Sequence, residues 1–230
     1  LIVITLARPQ LVQVEKEVSS KGIDIMMVLD TSKSMAAEDF KPLNRLMVAK
    51  ETIKSFISKR YTDQIGLVVF GSEAFTQCPL TSDYNIVLNL LDDIDLSMSG
   101  DGTAIGMAMV TALNRLKNST AKSRIMILIT DGENNMGQIE PLKAAELARD
   151  LNIKVYSIGV GKEGLVSIPY NHPVYGKIYS EVQSHLDEDT LKKISAMTEG
   201  SFFRATDKES LTKIYDQIND LEKSDIKTIT

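Results

Sequence analysis

The sequence predicts an α/β fold, with a doubly wound, mostly parallel central sheet, helices on both faces and one antiparallel edge strand. Two observations carry this. Four apolar, β-branched-rich runs punctuate the chain: IDIMMVLD (23–30), IGLVVFG (65–71), RIMILITD (124–131) and IKVYSIGVG (153–161). Each is nearly continuous rather than alternating, as expected for strands buried on both faces of a parallel sheet. Helical periodicity then fills the intervals between them, and strands alternating with helices build a wound sheet covered on both sides.

Taken in order, residues 43–60 place Leu46, Ala49, Ile53, Phe56 and Ile57 on one helical face. Residues 73–81 read as a hairpin partner of the second strand, and 83–92 as a helix. Residues 103–117 bring Ile105, Met109, Ala112, Leu113 and Leu116 together, with Thr103 at the helix start. Further helices cover 141–151 (Leu142, Ala145, Ala148, Leu151) and 188–198 (Leu191, Ile194, Met197). The last covers 207–223, with Leu211, Ile214, Tyr215, Ile218 and Leu221 as its apolar stripe. SFFRAT (201–206) is a short strand. The stretch 161–187, with Gly161, Gly164, Pro169, Pro173 and Gly176, breaks the alternation; a hairpin around Asn171–Pro173 is expected there. An insertion of this length points to function or mobility.

The alternation runs without a linker from about residue 22 to 223, so one domain is expected, flanked by a leading segment 1–21 and a trailing segment 224–230. Hydrophobic residues make up 43% of the 230 and charged ones 25%, enough for a sizeable soluble core. The net charge of -5 argues against sequence-independent binding to nucleic acid or to an anionic membrane, since both need a basic surface. A single cysteine, Cys78, excludes an intramolecular disulfide and a cysteine-rich metal site; beside Pro79, it is expected to be a half-buried thiol with no catalytic partner. The opening LIVITL is too short to span a bilayer; it reads either as an edge strand or as the end of a membrane helix.

Chemistry concentrates at strand ends. Asp30 and Asp131 close two of the buried runs. In an open α/β sheet, ligands bind outside those carboxyl ends, where strand order reverses. Two carboxylates about 6 Å apart at an effective dielectric of about 20 repel by roughly 3 kcal/mol. A shared proton, a basic residue or a bound cation must offset that. Asp30, Ser32 and Ser34 alternate, so an extended backbone points a carboxylate and two hydroxyls one way. GDGTAIG adds a third hydroxyl at Thr103, with Gly100 and Gly102 allowing a tight turn. The donors are all oxygens, which select Mg²⁺, Mn²⁺ or Ca²⁺ over zinc or copper.

DTSKS (30–34), the threonine of GDGT (103) and the aspartate of TDGEN (131) together resemble the metal-ion-dependent adhesion site of von Willebrand factor A domains. The resemblance covers roughly residues 22 to 223. It implies that Ser32, Ser34 and Thr103 ligate the ion, that Asp30 and Asp131 act largely through waters or hydrogen bonds, and that an open position accepts a partner's acidic side chain. GLVVFGSEAFTQCPLTSDY, DGTAIG and ATDKESLTKIYDQINDLEK further resemble BatA-type aerotolerance proteins of bacteria. That likeness implies anchoring in the inner membrane by helices outside this segment, a periplasmic domain, and association with other aerotolerance proteins and a MoxR-type ATPase. Where the family often has glycine, this chain has Lys33, expected to swing outward and attract an incoming carboxylate. Gly102, Lys33 and Glu133 are expected at the rim.

Blander readings exist for each residue. Asp30, Ser32 and Ser34 also suit a turn and helix cap, Thr103 an N-cap, and Glu133 and Asn134 a solvated loop. His172 and His185 fall in no ligand spacing. A nucleotide enzyme is disfavoured, because neither GxGxxG nor GxxxxGK[ST] occurs. A metal-dependent hydrolase, and a scaffold with a vestigial site, stand as alternatives to the binding module.

Overall fold

The computed structural model describes residues 22–173 and 175–228. The leading segment, including LIVITL, lies outside the described residues. Eight strands form: β1 (Asp24–Asp30), β2 (Gln64–Phe70), β3 (Ala74–Thr81), β4 (Arg124–Thr130), β5 (Lys154–Val160), β6 (Gly164–His172), β7 (Gly176–Ser184) and β8 (Phe202–Ala205). Six helices accompany them: α1 (Arg45–Ile57), α2 (Tyr84–Asp92), α3 (Ile105–Leu116), α4 (Pro141–Asp150), α5 (Glu188–Met197) and α6 (Lys208–Thr228). The main sheet has six strands in the order β3-β2-β1-β4-β5-β8, with β3 antiparallel to β2 and the other neighbours parallel. The expected wound sheet with its antiparallel edge is the fold observed.

Strand β1 is central, in register from Asp24↔Gln64 to Asp30↔Phe70 on one side and to Leu29↔Ile129 on the other. Every residue of β1 is buried. Its alternate side chains feed separate cores: Ile25, Met27 and Leu29 pack with residues of α1, α2 and α6, while Met26 and Val28 pack with residues of α3, α4 and α5. Each such side chain contributes about 1.5–3 kcal/mol by leaving water. That two-sided burial explains why these strands read as unbroken apolar runs. Asn44, Asp83 and Asp187 cap α1, α2 and α5 through their side-chain oxygens.

Three expectations are corrected. Helix α3 begins at Ile105, so Thr103 lies two residues before it instead of capping it. Helix α6 reaches Thr228, and its stripe is shifted at the end: Leu221 is 44% exposed, and Glu222 is buried in its place. Cys78, expected to be half-buried, is fully enclosed, and burial raises its thiol pKa. The insertion forms the expected hairpin, with β6 and β7 paired from Gly164↔Ser184 to His172↔Gly176 as a separate two-stranded ribbon. No described helix is long and apolar enough to cross a membrane.

Candidate metal centre

Strand order reverses between β1 and β4, and the candidate residues gather at that point. Past Asp30 the chain is tied down at once. Thr31 donates its N–H to the Phe70 carbonyl (2.8 Å), and its hydroxyl lies 2.6 Å from Ser99 Oγ. Asp30 Oδ1 accepts from the Ser32 N–H (2.8 Å), an Asx-type turn, and Asp30 Oδ2 accepts from Thr130 Oγ1 (2.6 Å). A short 3₁₀ turn, Lys33–Ala36, follows. These bonds fold the segment so that Ser32 Oγ and Ser34 Oγ sit 3.0 Å apart. Ser34 Oγ donates to Asp131 Oδ1 at 2.7 Å, joining the two loops.

Thr103 is held by a clamp. Its N–H donates to Asn135 Oδ1 (2.8 Å), and its carbonyl accepts from the N–H groups of Asn135 (3.0 Å) and Met136 (3.3 Å). A Cβ built on Gly132 would lie 3.6 Å from Thr103 Oγ1, so the hydroxyl faces the residue that follows Asp131. Gly102 adopts φ +120°, and a Cβ there would press on Met136 Cγ at 2.6 Å. The backbone therefore needs glycine beside Thr103. At the rim, Lys33 does swing outward; its Nζ meets Asp101 Oδ2 at 2.6 Å, with both side chains mostly exposed. Glu133 is exposed as well and contacts His185 Nδ1.

Burial pushes the Asp30 carboxyl up to about 7, with the Asp131 charge adding to the effect and the Ser32 and Thr130 bonds opposing it. Asp131 is likewise raised by burial, against the pull of Arg45. The folded value for Asp30 lies above its ordinary 3.8, so the stability this proton provides is complete below about 3.8 and is lost as pH passes about 7. Metal-free protein is therefore expected to be less stable to urea at pH 8 than at pH 5, with Asp30→Asn reducing the difference. Equal stability at both pH values would contradict the assignment.

The oxygens fit a hard cation. In an octahedral Mg²⁺ shell with bonds of 2.0–2.1 Å, neighbouring ligand oxygens lie about 2.9 Å apart. The Ser32–Ser34 and Ser34–Asp131 separations, 3.0 and 2.7 Å, bracket that spacing. Asn134 Oδ1, in the loop that follows Asp131, is buried without a hydrogen-bond partner. Among the described residues, no three His, Cys, Asp or Glu side chains gather into a metal cluster, at this site or elsewhere, so the centre depends on its hydroxyls.

One residue here was not foreseen. Arg45, the first residue of α1, is buried with its guanidinium between two acids. Nη1 donates to Asp131 Oδ2 (2.8 Å), and Nε and Nη2 grip Asp39 (2.6–3.1 Å). The signal was present in the sequence: Arg45 lies one turn before Ala49 and two before Ile53, on the apolar stripe, and at a helix N-terminus where a cation is unfavourable. A charge in such a place needs an acid brought from elsewhere.

A doubly wound sheet whose crest carries hydroxyl and carboxylate oxygens, in place of a phosphate-binding loop, defines a class of α/β recognition domain. The profile of the von Willebrand factor type A domain matches residues 24–217, and the chain belongs to that family. Among solved structures, it resembles BatB from Bacteroides thetaiotaomicron, at 31% identity and TM-score 0.77, over 88% of this chain and 100% of that one. It also resembles an aerotolerance-related membrane protein from Bacteroides fragilis, at 32% identity and TM-score 0.75, over 85% and 98%. The expected kinship with aerotolerance proteins is supported. An uncharacterized protein of Borreliella burgdorferi is 38% identical over 207 residues, covering 90% of this chain and 60% of its own length. The chain thus spans less than two thirds of that relative.

Proposed function

We propose that this domain is a divalent-cation-dependent protein-interaction module of a bacterial aerotolerance system. The single observation that carries the reading is the convergence of two serine hydroxyls, Ser32 Oγ and Ser34 Oγ, on the buried Asp131 carboxylate at the switch point. Ser32, Ser34 and Thr103 would hold Mg²⁺, with Mn²⁺ or Ca²⁺ as substitutes. Asp30 and Asp131 would supply the balancing charge and orient the hydroxyls. When bound, the ion offers a Lewis-acidic open position to a carboxylate of a partner protein. Lys33 adds a cation at the rim, although an incoming acid must compete with Asp101 for it.

Specificity would come from the β6–β7 ribbon. It exposes Leu165, Tyr170, Tyr175, Tyr179 and Val182. Its base is fixed to the site, because Arg45 Nη2 reaches Ser184 Oγ (3.2 Å). Glu38, in the loop after the serines, accepts from Lys177 Nζ (2.7 Å) and Tyr179 Oη (3.2 Å). The partner that offers the acid would lay apolar surface on this ribbon. Other aerotolerance proteins and a MoxR-type ATPase are the expected partners, with anchoring in the inner membrane by segments outside the described residues and the domain in the periplasm.

Calorimetric titration with Mg²⁺ and Mn²⁺ tests the reading. Native protein is expected to bind, while Thr103→Ala loses at least tenfold in affinity with little change of melting in chelator, and Ser34→Ala loses as much affinity with a lowered midpoint, because its bond to Asp131 goes with it. Silence from the native protein would favour the vestigial scaffold. Metal-dependent hydrolysis of esters or phosphates, abolished by Thr103→Ala, would favour the hydrolase.

A further inference from the structure

We infer that Arg45 is the charge-balancing residue of this site: a fixed internal cation that sets how tightly a divalent ion is held. The inference rests on the metal-binding reading above. Its basis is the way Asp131 is shared. Oδ1 faces the Ser34 hydroxyl at 2.7 Å, whereas Oδ2 faces the guanidinium at 2.8 Å. Arginine and ion would therefore use opposite oxygens of one carboxylate. They would share its charge without competing for its position.

The guanidinium is built in. Its side chain is 1% exposed, and Asp39 beside it only 8%. Nη2 also reaches Ser184 Oγ (3.2 Å) and the Lys162 carbonyl (3.5 Å), and the Lys162 N–H donates to Asp39 Oδ2 (2.9 Å). Gly161, at φ +105°, makes the seat, since a Cβ there would collide with the guanidinium. Only arginine's planar fork spans both acids at once.

Charge arithmetic gives the consequence. Once an ion displaces the protons that burial favours on Asp30 and Asp131, the carboxylates of Asp30, Asp39 and Asp131 carry three negative charges against the one positive charge of Arg45, a net of minus two. One divalent ion then neutralises the cluster. Without the arginine the cluster is minus three, and the ion is held more firmly. Without the Asp39 charge it is minus one, and the arginine repels the ion with less to offset it. Each change moves a buried unit charge close to a divalent ion, where Coulomb interactions are strong. The Lys33–Asp101 and Glu133–His185 contacts are exposed and screened, so they disturb this balance little.

The two substitutions therefore shift affinity in opposite directions, which loss of a structural brace cannot do. Mg²⁺ titration calorimetry of the full chain is expected to show roughly tenfold tighter binding for Arg45→Gln and roughly tenfold weaker binding for Asp39→Asn, with Arg45→Lys, which keeps the charge but not the grip on both acids, between native and Arg45→Gln. In chelator, Arg45→Gln should melt below native and regain more of its midpoint on adding Mg²⁺. Should Arg45→Gln fail to fold, Asp39→Asn still decides: binding as tight as native overturns the inference. Shifts of both variants in one direction, or in neither, also overturn it and leave the metal site standing. A native protein that binds no divalent ion overturns both the site and its tuning.

Discussion

Replacing Gly106 with alanine is expected to destabilise the protein by about 2–4 kcal/mol, lowering the melting midpoint by roughly 10 °C. The usual sign is the reverse, because alanine stabilises a helix interior by about 1 kcal/mol over glycine. Here the second residue of α3 runs against the segment that enters α4. A Cβ at Gly106 would be driven into the Ile139 carbonyl, 2.7 Å from its carbon and 3.0 Å from the Glu140 carbonyl carbon. The obstacle is backbone, so no rotamer change relieves it and the helix must move. Thr103 lies three residues upstream and is clamped by Asn135 and Met136. A shift of α3 against that clamp should therefore also weaken the Mg²⁺ binding proposed for this site. Asn114→Ala, exposed on the same helix, is the control and should change stability by no more than about 0.5 kcal/mol. Urea unfolding of both variants checks the claim, and a Gly106→Ala protein as stable as native would refute it.

That glycine marks where sequence reading stops. The strands were legible because burial on both faces turns Ile25 through Leu29 into an uninterrupted apolar run, and their acidic ends followed. Asp30, Ser32 and Ser34 were legible because their spacing is local. Thr103 was placed in the correct loop but given the wrong local role: its N–H is taken by Asn135, 32 residues away, and the helix starts two residues later. Arg45 was missed for the same physical reason. Its partners Asp39, Asp131 and Ser184 lie 6, 86 and 139 residues away, and no periodicity links them. The ribbon was legible as a hairpin from its glycines and prolines, whereas its bond to Glu38 was not. In each case the sequence discloses which groups are buried or turned, and only the fold discloses which buried group meets which.

The end of α6 offers the sharpest case, because there a carboxylate takes a position that periodicity would give to an apolar residue. Glu222 is 0% exposed, while Leu221 faces solvent. Its Oε2 accepts from Ser123 Oγ (2.5 Å), and its Oε1 accepts from Tyr156 Oη (2.6 Å) and pairs with Lys154 Nζ (3.4 Å). These three partners sit at the starts of β4 and β5, so one side chain pins the last helix to the N-terminal edge of the sheet, opposite the candidate metal centre. Glu222→Ala would remove the carboxylate that the buried Tyr156 hydroxyl and the half-buried Ser123 hydroxyl both donate to, at an expected cost of about 3 kcal/mol. Glu222→Gln keeps the shape and one carbonyl acceptor, and should cost about 1–2 kcal/mol. A double-mutant cycle with Tyr156→Phe separates this bond from the packing of the helix. If the hydroxyl and the carboxylate act as a pair, the doubly substituted protein should be about 1–2 kcal/mol more stable than the two single losses would add up to. Strict additivity in urea melts would mean that the Tyr156–Glu222 bond adds nothing of its own, and that apolar packing by Leu211, Ile214, Tyr215 and Ile218 carries the anchoring of α6 instead.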